Sequence, residues 1–222
     1  MNFLLHGHLA HREHHDRTVA VGAMLPDLWR LAHRRALPHR LPATVNAPQL
    51  RTGLAHHAAL DRWFHEASAL REGETLLHDC FVAEHLSAPK LRLFAHPLWE
   101  LCLDGALVRS LGAASLRTWL ASAFEEAASQ RDPGQRALGE SLGAEGDIFL
   151  TRMETIDREL TQGPWLEAYT SGEGLAFCLD AMRLRIGLPR LSPAELRSLA
   201  RCLEEVVPLA DQLLTRLLLL AR

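Results

Sequence analysis

The histidines of this chain are confined to its first half. All 13 lie between His6 and His96, and residues 97–222 contain none. Imidazole changes its charge near neutral pH and is the commonest nitrogen ligand of transition metals in proteins. A purely structural use of histidine would not be confined in this way, so any chemistry is expected in the N-terminal part of the chain.

Two of these histidines are followed, four residues later, by a carboxylate. His57 precedes Asp61, and His96 precedes Glu100. On a helix, residues i and i+4 share one face, so each pair can hold a single cation. One such pair is equally well explained as a surface ion pair, but two pairs in apolar segments favour a metal site.

A third carboxylate, Asp27, follows Pro26 inside an apolar segment. Burial of a carboxylate is costly unless it is paired or binds a metal, and an exposed or capping Asp27 is the alternative. With the N-terminal His6, these side chains form a mixed nitrogen and oxygen set suited to Zn, Mn or Fe. The predicted ligands are His6, Asp27, His57, Asp61, His96 and Glu100.

The chemistry expected of such a site is phosphoester hydrolysis. A divalent cation lowers the pKa of a bound water and polarises a phosphoryl oxygen. Three further histidines, His8, His56 and His65, are candidates for carrying a proton to the leaving alkoxide. The chain lacks a nucleophilic Gly-x-Ser-x-Gly and a phosphate-binding Gly-rich loop, and Lys90 is its single lysine. These features argue against P-loop and Schiff-base chemistry.

The elements that must position these residues are predicted to be helices. Strand signals are nearly absent, and the abundant Ala, Leu, Arg and Glu are good helix formers. The Pro-rich segment 37–48 predicts a loop. The spacing of apolar residues predicts helices over 3–12, 17–36, 50–70, 74–86, 90–110 with a kink at Pro97, 113–130, 145–161 and 173–187.

A long last helix is predicted to begin at Pro193. Ser192 suits its N-cap, proline its first position and Glu195 its third. The Leu and Val stripe that follows is typical of a core helix or of a helix that packs on a partner, so a homodimer is one interpretation. We expect a single all-α domain over 1–222, with the metal motifs in 1–105 and a helical C-terminal part over 113–222.

Bulk properties exclude several classes of protein. The net charge of −3 gives no general attraction to nucleic acid. No apolar run approaches the roughly 20 residues of a membrane span, and the first residues lack a secretory signal. The four widely spaced cysteines predict reduced, mostly buried thiols. A cytoplasmic location is therefore expected.

Four segments, in order, resemble the bacterial acyl carrier protein phosphodiesterases, which belong with the helical HD-type metal phosphohydrolases. Residues 1–10 (MNFLLHGHLA) are similar to that family's opening Met-Asn-Phe-Leu-Ala-His-x-x-Leu. Residues 22–30 (GAMLPDLWR) resemble its Gly-Asn-x-x-x-Asp-Phe-x-(Arg/Lys). Residues 53–61 follow the spacing of its Gly-x-x-x-His-Arg-x-Ile-Asp. Residues 92–103 stand where the family has Asp-x-x-Tyr-Asp-His-Phe-Leu.

This resemblance spans about the first 105 residues and implies a fold, an activity and a partner. The implied fold is a compact, HD-like bundle of many helices, here with a long C-terminal helix. The implied enzyme is a metal-dependent phosphodiesterase that cuts the phosphopantetheine linkage of acyl carrier protein. The fourth segment departs from the family, because His96 and Glu100 replace two acidic residues and Leu101 replaces a histidine. Ala58 likewise replaces the arginine of the third segment.

Three other hypotheses stay open. A weaker similarity to zinc-dependent phospholipase C rests on Pro-Asp, His-x-x-x-Asp and His-x-x-x-Glu, and the pair His96 and Glu100 fits that pattern better. A catalytically degenerate relative would keep the fold and bind a partner without turnover. A purely structural helical protein would use the C-terminal leucine stripe alone.

Overall fold

The computed structural model describes residues 2–88 and 90–220, and only the backbone of residues 69 and 220. These described residues are 83% helical and include no strand, which confirms the all-α class and the long C-terminal helix. Over the same residues no helix has both the length and the apolar character needed to cross a bilayer. The α-helices are α1 (Phe3–His14), α2 (Arg17–Ala32), α3 (Pro48–Glu66), α4 (Ser68–Ala83), α5 (Ala95–Leu111), α6 (Ala113–Ser141), α7 (Gly146–Thr161), α8 (Trp165–Ala168), α9 (Gly172–Arg185) and α10 (Pro193–Leu220).

One helix end and three prolines differ from the expectation from sequence. Helix α2 ends at Ala32, because His33 is extended and its N–H bonds the Trp29 carbonyl. Pro97 is the third residue of α5, in the first turn, where its missing N–H breaks no hydrogen bond within the helix, so α5 continues through it. Pro133 and Pro208 lie inside α6 and α10, and neither ends its helix.

The chain divides into two compact units that are each assembled from separate segments. The first unit comprises Phe3–Trp63 and Ala114–Gly163, and so contains α1, α2, most of α3, α6 and α7. Of the described residues, the second unit comprises residue 2, Phe64–Ala113 and 164–220, and so contains α4, α5, α8, α9 and α10.

In the first unit, a tight connection folds α2 back along α1. His15 takes a left-handed conformation with φ of 52°, which ends α1 after His14. Asp16 then caps α2, because its side-chain oxygen accepts the Val19 N–H at 2.9 Å. Ala10, Val19 and Ala23 form a buried cluster of these two helices. The short connection therefore fixes which faces of α1 and α2 meet.

Helices α2 and α3 touch through two glycines. A Cβ atom on Gly22 would lie 2.5 Å from the Leu50 carbonyl oxygen and 3.1 Å from the Gly53 Cα. A Cβ atom on Gly53 would lie 2.6 Å from the Ala23 nitrogen. These distances are too short for any side chain, so glycine at both positions lets the two backbones come into contact.

In the second unit, α10 packs on α4, α5 and α9. Its start is the predicted capping box: the Glu195 N–H bonds the Ser192 hydroxyl at 3.2 Å, and the Ser192 N–H bonds the Glu195 carboxylate at 2.8 Å. Buried Asp180 orders the segment before it, since its carboxylate accepts the Leu191 N–H at 2.7 Å.

The prediction of reduced thiols is wrong for two of the four cysteines. Cys80 on α4 and Cys202 on α10 form a disulfide, with their Cα atoms 5.7 Å apart. The sequence could not indicate this pair, because the contact between α4 and α10 joins residues that are 122 positions apart. Cys102 is a buried free thiol, and Cys178 is a half-buried one.

Candidate metal centre

Three of the predicted ligands meet in the first unit. His6 of α1, Asp27 of α2 and His57 of α3 each present one ligand atom, and these atoms all lie within 4.8 Å of one another. His6 is 1% exposed, whereas Asp27 and His57 are half-buried. Small side-chain rotations would allow each of the three atoms to lie roughly 2.0–2.2 Å from a zinc ion placed between them.

The contact between α2 and α3 positions His57. Gly53 lies one turn before it on α3, and Ala23 follows Gly22 at the crossing. The Nδ1 atom of His57 is 2.8 Å from the Ala23 carbonyl oxygen. A carbonyl can only accept, so Nδ1 carries a proton, and in the neutral ring Nε2 is the nitrogen with a free lone pair. Metal-ligating histidines typically have their second nitrogen held in this way.

The remaining geometry suits a cation as well. The rings of His6 and His57 lie 4.1 Å apart at 31°, beside the Asp27 carboxylate. Two imidazoles and one carboxylate are the donors of many catalytic metal sites, which leave other positions for water and substrate. These three residues therefore fit a divalent cation.

Asp61 lies on α3 one turn after His57 and is half-buried. Among the described residues, Asp61 is not part of the group formed by His6, Asp27 and His57, whose ligand atoms lie within 4.8 Å of one another. Asp61 shares a face of α3 with His57 at i,i+4, and its role as a ligand stays a prediction.

His96 and Glu100 belong to the second unit, where His96 also contacts a carboxylate that the sequence did not suggest. The Nδ1 atom of His96 is 2.6 Å from Glu74 Oε1, and its Nε2 is 3.4 Å from Glu100 Oε1. The His65 ring stacks on His96 with centroids 4.8 Å apart. Glu74 is 22 residues earlier on α4, so no local spacing could reveal it.

These contacts change the acidity of both groups. The hydrogen bond to Glu100 is the main cause that raises the pKa of His96, and Glu74 adds to it against the effect of burial. Burial would raise the pKa of Glu100, but interactions that include the His96 hydrogen bond lower it to about 2. The two carboxylates favour the protonated form of His96, and metal binding by His96 would require one of these contacts to open.

The other two predicted proton carriers lie in the first unit. Burial lowers the pKa of His8 on α1, and the positive charges of Arg12 and His11 lower it further. Burial also lowers the pKa of His56 on α3, although its Nε2 lies 3.1 Å from Glu13 Oε2. Both imidazoles are therefore inclined to the neutral form, which can accept a proton.

No protein-family model, curated protein or solved structure matches this chain. The assignment of a function therefore depends on the residues and on the geometry that brings them together. The similarity of residues 1–105 to acyl carrier protein phosphodiesterases stays a prediction from the sequence.

Proposed function

We propose that this chain is a metal-dependent phosphodiesterase whose cation is held by His6, Asp27 and His57. The observation that carries the proposal is the meeting of three ligand atoms from three helices within 4.8 Å. The His57 hydrogen bond to a carbonyl supports it, because it orients the ring and makes Nε2 the free nitrogen of the neutral imidazole.

A bound cation of the Zn, Mn or Fe class would supply charge neutralisation at phosphorus and an acidified water. The Ala23 carbonyl keeps the His57 ring in one orientation, and Asp27 contributes the negative charge that a divalent cation needs. Arg30, exposed and one turn after Asp27 on α2, would attract the phosphodiester anion. Neutral His8 or His56 would take up a proton near the site.

The substrate that we propose is the phosphopantetheine linkage of acyl carrier protein. Its support is the similarity of four segments within residues 1–105, two of which supply His6 and Asp27. A binding protein without turnover is the second candidate. The observation that favours it is the Glu74–His96–Glu100 cluster, in which residues of the divergent fourth segment contact one another.

The test is hydrolysis of bis-p-nitrophenyl phosphate by metal-stripped protein, before and after addition of Mn²⁺ or Zn²⁺. We expect activity only with added metal. Asp27→Asn should lower metal affinity and activity by about 10–100-fold or more, since even groups behind the ligands have effects of that size. Asp61→Asn should have a smaller effect, because Asp61 is outside the gathered group.

Asp147→Asn is the matched control. Asp147 is an exposed carboxylate of the same unit at the start of α7, and its replacement should leave activity unchanged. Turnover that resists chelator and survives Asp27→Asn would contradict the proposal. Full metal occupancy without turnover on this diester or on acyl carrier protein would favour the binding protein.

A further inference from the structure

A second group of metal-compatible side chains lies at the C-terminal end of α1. Glu13 and His14 are the last residues of that helix, and His56 lies next to His57 on α3. Their ligand atoms all lie within 4.8 Å of one another. No residue of this group is shared with the His6, Asp27 and His57 centre.

The carboxylate of Glu13 stands between the two imidazoles. Its Oε2 is 3.1 Å from the His56 Nε2 atom, and its Oε1 is 3.9 Å from the His14 Nε2 atom. The two rings lie 5.5 Å apart at 76°, so they are directed toward the carboxylate from different sides. The His56 side chain is 11% exposed and the His14 side chain 30% exposed.

The backbone explains why these residues meet. The left-handed His15 ends α1 directly after His14, and α2 begins at Arg17 under its Asp16 cap. The last turn of α1 is thereby held beside α3, where His56 follows the glycine contact at Gly53 by three residues.

We propose that Glu13, His14 and His56 form a second, independent site for a divalent cation of the zinc class. Two histidines and one glutamate are an established donor set for zinc, with a fourth position open to water or another ligand. The open side is a pocket of about 450 Å³, whose other lining residues are Thr52, Ala55, Ala59 and Leu60.

The spacing along α1 separates this site from the first. His6 and Glu13 are seven residues apart, which at about 1.5 Å per residue is roughly 10 Å along the helix axis. Two-metal clamps have ions about 3.5–4 Å apart. The two groups therefore bind one cation each and do not share a bridging ligand.

Zinc stoichiometry of the full chain tests this inference. Metal-stripped protein is titrated with Zn²⁺ by calorimetry in the presence of a weak competing chelator, which removes adventitious surface binding. We expect two equivalents for the unchanged chain and one equivalent for Glu13→Gln and for His14→Gln, with affinity at the altered site lowered at least 10-fold. Asp27→Asn should also leave one equivalent, and Asp27→Asn with Glu13→Gln should leave none.

His15→Asn is the control, because it removes a neighbouring histidine while asparagine tolerates the left-handed φ of 52°. It should keep two equivalents. Circular dichroism checks that each variant keeps its helices. If Glu13→Gln and His14→Gln both retain two equivalents, or if the unchanged chain binds a single zinc that Asp27→Asn abolishes, the inference is wrong. If the unchanged chain binds a single zinc that only Glu13→Gln abolishes, the result would support this second site and contradict the site at His6, Asp27 and His57.

Discussion

The protonated nitrogen of His57 is fixed by a backbone carbonyl, whereas both nitrogens of His96 face carboxylates. The sequence pattern, a histidine followed by an acid at i+4, is the same in both cases. The surroundings differ. The carbonyl orients the His57 ring with a proton on Nδ1, whereas the carboxylates favour the protonated form of His96.

The state of His96 can be measured directly. Its pKa is raised mainly by the Glu100 hydrogen bond, so the folded protein holds this proton more tightly than the unfolded chain does. The stabilisation is complete below the unfolded value of about 6.5 and is lost as the pH rises through the folded pKa. NMR titration of the His96 ring should give a pKa above 6.5, and Glu74→Gln should lower it.

The matched comparison for that titration is Glu72→Gln, two residues away on the same helix and half-exposed. It should leave the His96 titration unchanged. A His96 pKa at or below 6.5, or one that Glu74→Gln does not move, would show that the two carboxylates do not hold the proton.

At the scale of residues, the sequence predicts which side chains are candidate ligands, but it does not predict all of their contacts in the fold. His6, Asp27 and His57 were identified from their types and from apolar neighbours, and they do meet. Glu13 and His14 were missed, although they lie seven and eight residues after His6, which is two helical turns. Glu74 carried no signal at all, because only the tertiary contact between α4 and α5 brings it to His96.

At the scale of elements, the glycine contact between α2 and α3 leaves no room for a side chain in the first unit. Gly53→Ala would place a methyl group 2.7 Å from the Gly22 carbonyl carbon, and backbone cannot rotate away as a side chain can. We expect a loss of about 3 kcal/mol or more in unfolding free energy, and a weaker zinc site at His57. Urea unfolding and zinc titration measure the two effects.

Gly134→Ala is the control for that substitution. Gly134 also lies within a helix, but its added Cβ would meet Leu50 Cδ2 at 3.4 Å, an ordinary contact. Because alanine is the better helix former, this change should be neutral or stabilising by up to about 1 kcal/mol. Equal stability of the two variants would contradict a backbone-to-backbone contact at Gly53.

Helix types and starts were largely predictable, and helix ends were not. Ser192 and Glu195 form the capping box that local sequence indicated. The end of α2 at Ala32 also involves a tertiary contact, since Arg152 of α7 donates to the Ala32 carbonyl at 3.1 Å. The length of α6 likewise follows from burial of residues such as Leu138, which lies beyond the expected end at 130.

At the scale of the whole molecule, the disulfide covalently joins two helices that are far apart in the sequence. Cys80 and Cys202 are 122 residues apart, so their bond removes much of the freedom of the unfolded chain. Removal by Cys80→Ser with Cys202→Ser should lower the unfolding free energy by about 2–5 kcal/mol. Urea unfolding measures the loss, and a reductant should destabilise the unchanged protein but not the double variant.

Thiol alkylation of the unfolded, non-reduced protein gives an independent check. Two of the four cysteines should react, Cys102 and Cys178, and all four should react after reduction. Four reactive thiols before reduction would mean that the bond does not form.

The interleaved order of the two units has a consequence for synthesis on the ribosome. All the histidines leave the ribosome early, yet the first unit also needs Ala114–Gly163, and the second needs residues 164–220. The first unit can close once residue 163 has emerged, whereas the second unit cannot close until residues 164–220 have been made. The helices that carry His6, Asp27 and His57 therefore emerge before α6 and α7, and the second unit completes its fold only after every segment of the first unit has been made.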